Sequence, residues 1–394
     1  MKPCILPWIN FGTNTFGRAR PCGYSEHKSD VKLKDSSIMD EWNSEYFKSI
    51  RRDFLTKKWP ANCRRCEYVE GMGGKSKKFD ENFELYPIYE HLIDQTDGDG
   101  AVPYFPPHLD IRVGTICNLK CIHCGTGASS KWQEDKHMLN KYSNTEEYNI
   151  DNKWVEQDSL IWDSIAENLH QVKKLSFLGG EPFANKQHNK FIDKTADTDY
   201  SKNITLFYVT NATLLTEDML EKLLKFKKVM LQVSIDAPYE AGEYFRFPIK
   251  WDHYVSRLDM LKNHSARGNL VVKAQWTCSN VSMFYLPETF DFVMKNYPDM
   301  AFDFCNHVEW PAHMSAQNLP DDLKLKIKDK IEAHDFGHSK SKVTFYVKHM
   351  LEKDLWREQG KTFMRYLNDL DASRKISWKH SLKEMNLERY DDGN

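Results

Sequence analysis

Three cysteines stand close together in the run Cys117-Asn118-Leu119-Lys120-Cys121-Ile122-His123-Cys124. A C-x3-C-x2-C spacing supplies three thiolates and leaves a fourth coordination position open. Thiolates so spaced can hold three irons of a [4Fe–4S] cube and leave the fourth iron able to bind a small molecule. With His123 as a fourth ligand, the same run could instead close a tetrahedral zinc site. A second set, Cys4, Cys22, Cys63 and Cys66, is spread over the first part of the chain and ends in a C-x2-C pair. Four cysteines close a site fully, as a structural zinc or as an iron–sulfur cluster. Cys278 and Cys305 stand alone, and small buried hydrophobes describe most such thiols.

These thiols need elements to position them. From residue 109 onward, short apolar runs alternate with longer helical patterns. The runs predict strands at Leu109–Thr115, Lys174–Leu178, Ile204–Thr210, Val229–Asp236, Leu270–Thr277 and Ala301–His307. Helices are expected near 157–170, 186–196, 216–227, 252–264 and 284–296. Six strands alternating with helices imply an α/β fold, a partial (β/α)6 barrel over 109–310 with parallel strands. Ligands in such sheets sit at the carboxyl ends of the strands. The cysteine run follows the first strand, and Gly179-Gly180-Glu181-Pro182 follows the second. Thr210-Asn211 ends the third, Ser234-Ile235-Asp236 the fourth, and Cys278 and Asn280 lie at the end of the fifth.

Residues 1–93 read as a separate small domain. Ile5–Phe11 and Phe16–Pro21 flank a Gly12-Thr13-Asn14-Thr15 turn, a hairpin that would bring Cys4 and Cys22 together. A helix from about Asp40 to Lys58 then leads to Cys63-Arg64-Arg65-Cys66. Residues 94–108, with Asp97-Gly98-Asp99-Gly100 and several prolines, read as a linker. Residues 311–394 form a polar, helical C-terminal extension whose final residues are expected to fray.

The cysteine run at the end of a first strand, followed by the glycine–glutamate turn in register, resembles the radical S-adenosylmethionine (radical SAM) superfamily over roughly residues 109–310. The zinc alternative leaves Gly179–Pro182 without a purpose. The resemblance implies that Cys117, Cys121 and Cys124 hold a [4Fe–4S] cluster whose open iron chelates the amino and carboxylate groups of SAM. It implies that Gly179, Gly180, Glu181 and Pro182 receive the SAM amino group, and that Thr210, Asn211, Ser234 and Asp236 hold its ribose and carboxylate. Arg246 stands where related enzymes place a carboxylate-binding arginine, and Asn280 is a further SAM contact. His123 occupies a position usually filled by an aromatic that packs near the adenine. One electron from a flavodoxin- or ferredoxin-like donor would cleave SAM to methionine and a 5′-deoxyadenosyl radical, which abstracts a substrate hydrogen atom. Cys278, at the end of the fifth strand, is the candidate thiol that would return a hydrogen atom to the substrate radical.

The four-cysteine set resembles the SPASM/twitch domains of such enzymes, through Cys4-Ile5-Leu6-Pro7-Trp8 and the Cys63-to-Glu70 segment. That resemblance implies a second, auxiliary [4Fe–4S] cluster, with zinc the alternative. It favours a peptide or protein substrate, with a small-molecule (sugar or cyclitol) dehydrogenase or epimerase second and a non-catalytic electron-transfer protein as the reading of another class. Asp371-Ala372-Ser373-Arg374 resembles a segment common near the end of such proteins, and its role is not legible in sequence. His307 and Glu309, at the end of the sixth strand, could contact substrate. The basic residues Arg51, Arg52, Arg64, Arg65, Lys75, Lys77 and Lys78 offer a dock for an acidic electron donor, or else a solvated face.

Composition narrows the partners. With 55 Lys and Arg against 57 Asp and Glu over 394 residues, the net charge is −2, which gives no bulk field for nucleic acid. No apolar run approaches the ~20 residues that span a bilayer. The start lacks a signal-peptide core, so a cytoplasmic chain with reduced thiols is expected.

Overall fold

The computed structural model describes residues 2–26, 29, 33, 36–142, 154, 155 and 160–391, and of Cys305 and Asn306 the backbone alone. The expected helix start at 157, the frayed end 392–394 and the thiol of Cys305 lie outside the described residues. Eight strands form one sheet: β1 (Asn10–Thr13), β2 (Ala19–Arg20), β3 (His108–Arg112), β4 (Lys174–Leu178), β5 (Thr205–Thr210), β6 (Lys228–Ser234), β7 (Leu270–Cys278) and β8 (Ala301–His307). They are ordered β2-β1-β3-β4-β5-β6-β7-β8. β1 and β2 are antiparallel, while β1–β3, β3–β4, β4–β5 and β7–β8 are parallel. The last six strands alternate with helices, as a partial (β/α)6 barrel requires. Among the described residues, no helix is long and apolar enough to cross a membrane.

The N-terminal hairpin departs from expectation in two ways. Its first arm begins as a short helix, Leu6–Ile9, with Pro7 in the first turn, where a missing N–H costs nothing. Its strand β1 then pairs in parallel with β3, Asn10 opposite His108 and Gly12 opposite Asp110, so the hairpin extends the barrel sheet. The expected long helix from Asp40 divides into Ile38–Trp42, capped by Ser37, and Glu45–Leu55.

The chain divides into two compact units, one of residues 1–116, 150–208 and 218–229, the other of 117–149, 209–217 and 230–394. In the first, Arg51 is fully buried, so it is no part of a basic surface. Its Nε donates to Pro7 O at 2.9 Å and its Nη1 to Gly100 O at 3.1 Å, and its guanidinium lies 4.3 Å from the Trp42 ring. Arg51 therefore ties the start of the chain to the segment expected to be a linker, whose Val102 and Phe105 are themselves buried. In the second unit, the C-terminal extension is core rather than tail. Helices Asp321–Glu332, Lys340–Glu352 and Trp356–Arg374 bury Leu323, Ile327, Val343, Met350, Phe363, Leu367 and Leu370 in one cluster with Ile122, Trp132 and Trp276.

Four histidines, His108, His123, His188 and His313, are pushed down to about 4 by burial. Each is neutral in the folded chain and takes up a proton on unfolding at mildly acid pH. Stability present above pH ~6.5 is thus lost as the pH falls toward 4, by ~1.4 kcal/mol per pH unit for each such histidine. Urea midpoints should drop steeply between pH 7.5 and 5.5, and His188→Gln should flatten the profile; a level midpoint across that range would contradict the burial.

Candidate functional site

The cysteine loop belongs to the second unit and has neither helix nor strand to satisfy its backbone. Its N–H groups of Lys120 and Ile122 donate to Phe247 O (2.7 Å) and Phe245 O (2.9 Å). The sulfurs are gathered. Cys124 hydrogen-bonds to Cys121, and Cys117 lies within electrostatic reach of Cys124. The Cys121 thiol is drawn below its ordinary value by the hydrogen bond from Cys124 and by the guanidiniums of Arg246 and Arg374, against the effect of burial. Arg246 Nη1 lies 3.9 Å from Cys121 Sγ. Cationic surroundings favour the thiolate, which is the ligating form.

Around this loop stand the strand-end residues. Asp236 is buried and ion-paired with Arg246 at 2.5 Å, and its Oδ1 accepts from Thr277 N at 3.2 Å. Burial opposes the Arg246 charge, but Asp236 and Cys121 hold it above its ordinary value. Arg246 Nε is buried without a hydrogen-bond partner. His123 packs 5.0 Å from Phe245, neutral, with Nδ1 also buried and unpartnered. Thr210 Oγ1 accepts from Ala212 N at 2.8 Å. Asn211 Nδ2 donates to Asn118 Oδ1 at 3.0 Å, and Asn118 Nδ2 donates to Thr213 Oγ1 at 2.8 Å, which ties the cysteine loop to the end of β5. Ser234 O accepts from Tyr254 Oη at 2.9 Å. Asn280 is fully buried; its Nδ2 donates to His313 O and its Oδ1 accepts from Val281 N. Cys278 lies in the core with Trp276, Val281 and Met314, its thiol pushed up by burial alone, so packing accounts for its place. His307 Nε2 meets Glu309 at 2.9 Å, with the His349 ring 4.2 Å away.

The glycine–glutamate turn belongs to the first unit. Gly179 has φ +121°, and a Cβ there would lie 2.7 Å from Gly114 O; one at Gly180 would lie 2.2 Å from Ile116 O. The doublet is therefore required by backbone meeting backbone, before any ligand is considered. Gly180 N donates to Gly114 O and Glu181 N to Ile116 O at 2.7 Å, and Ile116 is the residue directly before Cys117 in the chain. Glu181 is fully buried, and its carboxylate caps the turn through Phe183 N at 3.2 Å.

The four spread cysteines also come together, all within the first unit. Burial pushes the Cys4 thiol up, reinforced by Cys22, Cys63 and Cys66, which therefore lie within electrostatic reach of it. Asn82 holds both sides of Cys4, its Oδ1 accepting from Ile5 N at 2.9 Å and its Nδ2 donating to Pro3 O at 2.8 Å. Cys63 ends a 3-10 turn and Cys66 lies in the first turn of the helix Arg64–Gly71. Glu70 accepts from Ser76 (2.6 Å) and from Lys78 (2.9 Å), fixing that helix to the next. Two of the basic residues, Lys77 and Lys78, are thus engaged with Glu81 and Glu70 rather than free.

Residues 111–287 match the family model described as the Radical SAM superfamily, a superfamily that uses a [4Fe–4S] cluster and SAM. Among curated proteins it is similar to the GTP 3′,8-cyclase of Clostridium botulinum, 30% identical over 130 residues, which is 33% of this chain and 35% of that one. It is also similar to an uncharacterized protein of Methanocaldococcus jannaschii, 30% identical over 145 residues, 34% of this chain and 43% of that one. The chain thus spans well under half the length of these relatives. Solved structures that resemble it include Streptococcus suis SuiB (14% identity, TM-score 0.35, 82% of this chain and 67% of that one) and anSMEcpe with AdoMet and a peptide (16%, 0.34, 56% and 57%). Likenesses at that level carry no argument about what this chain binds. The residues present fit the cofactors on their own: three gathered thiols beside two buried guanidiniums, and the unpartnered His123 Nδ1 and Arg246 Nε.

Asn118, Thr213, Trp132 and Tyr366 support the loop without a motif that marks them, while Arg374 ends the Asp371-to-Arg374 segment that sequence singled out without a role. Asp236→Ala should leave the buried Arg246 charge unpaired and destabilise the apo-protein by about 3–5 kcal/mol. Asp236→Asn, which keeps an acceptor for Thr277 N, should recover part of that loss. Guanidinium denaturation of the two variants measures the difference, and equal stability of Asp236→Ala and the parent would refute the pairing.

Proposed function

We propose that this enzyme abstracts a hydrogen atom from a residue of a peptide or protein, and that its four-cysteine site holds an auxiliary [4Fe–4S] cluster that accepts an electron from the resulting substrate radical. When bound, the cluster and SAM supply the hard step, one-electron cleavage of SAM to methionine and a 5′-deoxyadenosyl radical. The chain's own residues do the rest. Cys117, Cys121 and Cys124 ligate, leaving one position open. Arg246, held by Asp236, keeps positive charge beside the Cys121 sulfur. Neutral, half-buried His123 offers a flat apolar face beside Phe245 and an unpartnered Nδ1. Gly179 to Pro182, Thr210, Asn211, Ser234, Asp236 and Asn280 are the proposed SAM contacts.

That Cys22, Cys63 and Cys66 all lie within electrostatic reach of Cys4 carries the reading of an auxiliary site. It aligns the chain with the SPASM/twitch enzymes, many of which modify peptides. A small-molecule substrate is the second reading, favoured by the curated relatives being named for a reaction of GTP. A flavodoxin- or ferredoxin-like protein is the proposed electron source.

Anaerobically reconstituted protein should hold about eight irons per chain, whereas a cluster plus a structural zinc gives about four irons and one zinc. Cys121→Ala should abolish 5′-deoxyadenosine formation. Cys63→Ala should keep uncoupled SAM cleavage while losing product. Retention of 5′-deoxyadenosine by Cys121→Ala would remove the central assignment. Deuterium transfer to 5′-deoxyadenosine from labelled peptides, against labelled nucleotides and sugars, separates the two substrate classes.

A further inference from the structure

Four consecutive carbonyls of the cysteine loop each receive a side-chain donor. Ser129 Oγ donates to Leu119 O (2.5 Å), Arg374 Nη2 to Lys120 O (2.6 Å), Trp132 Nε1 to Cys121 O (3.2 Å) and Tyr366 Oη to Ile122 O (2.8 Å). Two of the four come from the helix Trp356–Arg374, about two hundred and fifty residues downstream, in the extension whose role the sequence left unread. The segment Asp371-Ala372-Ser373-Arg374 closes that helix onto the loop. Asp371 accepts from Tyr244 Oη at 3.0 Å and from Trp378 N, and Ser373 Oγ donates to Asp135 at 2.6 Å. Asp135 in turn pairs with Lys120 at 2.6 Å.

Arg374 is the unusual member. It is buried, its guanidinium stacked 4.8 Å from Trp132 and 5.1 Å from Phe247, and its Nε and Nη1 have no hydrogen-bond partner. A buried cation with two unused donors beside Cys121 is costly in the empty loop and favourable once negative charge gathers on the sulfurs. A cluster gains a further negative charge on reduction, so a fixed cation nearby favours the reduced form.

We propose that Arg374 is a positioning residue that clasps the cysteine loop through Lys120 O and, by its charge, makes the loop's cluster easier to reduce. This rests on the reading of Cys117, Cys121 and Cys124 as cluster ligands. The clasp is tested without the cluster, by amide hydrogen exchange of residues 117–124 in the full-length apo-protein. Arg374→Gln and Tyr366→Phe should each speed exchange there by about tenfold or more. The charge is tested in the reconstituted protein by EPR-monitored reduction. Arg374→Gln should cut the ratio of reduced to oxidised cluster at a given potential by about tenfold, equivalent to ~59 mV for one electron. Arg374→Lys should restore that ratio, and Tyr366→Phe should leave it at the parent value.

Equal exchange in Arg374→Gln and the parent would overturn the clasp, and equal reducibility would overturn the charge effect. If no cluster assembles on the three cysteines of the parent, the ligand reading itself falls, and that outcome is seen before any variant is compared.

Discussion

Thiols at i, i+4 and i+7 cannot converge on one centre from a helix, which sets them on one face but spreads them over ~10 Å along its axis, nor from a strand, which spreads them over ~20 Å. The loop's backbone groups are then left without regular partners inside a protein, where an unmade hydrogen bond is expensive. Much of the second unit answers that constraint. Phe245 and Phe247 accept the loop's N–H groups, and Ser129, Arg374, Trp132 and Tyr366 serve its carbonyls. The helix Trp356–Arg374 is in place because its apolar face, Phe363, Leu367 and Leu370, is buried in the same cluster as Ile122 and Trp132. Packing and polar satisfaction converge on one loop, and the thiols inherit their arrangement from both.

The first unit meets a parallel demand differently. Cys4, Cys22, Cys63 and Cys66 come from three separate stretches of chain, so their convergence depends on what anchors each stretch. Asn82 brackets Cys4, pairing of β1 with β2 returns the chain toward Cys22, and Glu70 locks the helix whose first turn holds Cys66. Arg51 joins the opening residues to Gly100 and so makes the supposed linker part of the core. The glycine–glutamate turn illustrates the same economy of space. Gly179 and Gly180 bring β4's end against the carbonyls of Gly114 and Ile116, which sets the backbone leading directly into Cys117.

The strands and helices of the barrel were legible because their hydrophobic periods are local. β4 and β8 fall on the expected residues, and the others differ by one to three at an end. The N-terminal arm was misread as a strand because Ile5 to Phe11 is apolar but for Asn10, and Pro7 at a first turn favours a helix that apolarity alone does not distinguish. That β1 joins the barrel sheet was illegible, since pairing over about a hundred residues of separation leaves no periodic trace.

Spacing by itself pointed to the proposed chemistry: C-x3-C-x2-C with a glycine–glutamate turn after the next strand admits few other uses, because ligand number and backbone clearance are local properties of a few residues. The supports of that chemistry were decided only in three dimensions. Arg374 donates to Lys120 O and Tyr366 to Ile122 O across 254 and 244 residues. A hydrogen bond to a main-chain carbonyl constrains the donor's type but not the identity of the residue that accepts it. The accepting side of such contacts therefore writes nothing into the sequence, and the fold alone reveals it.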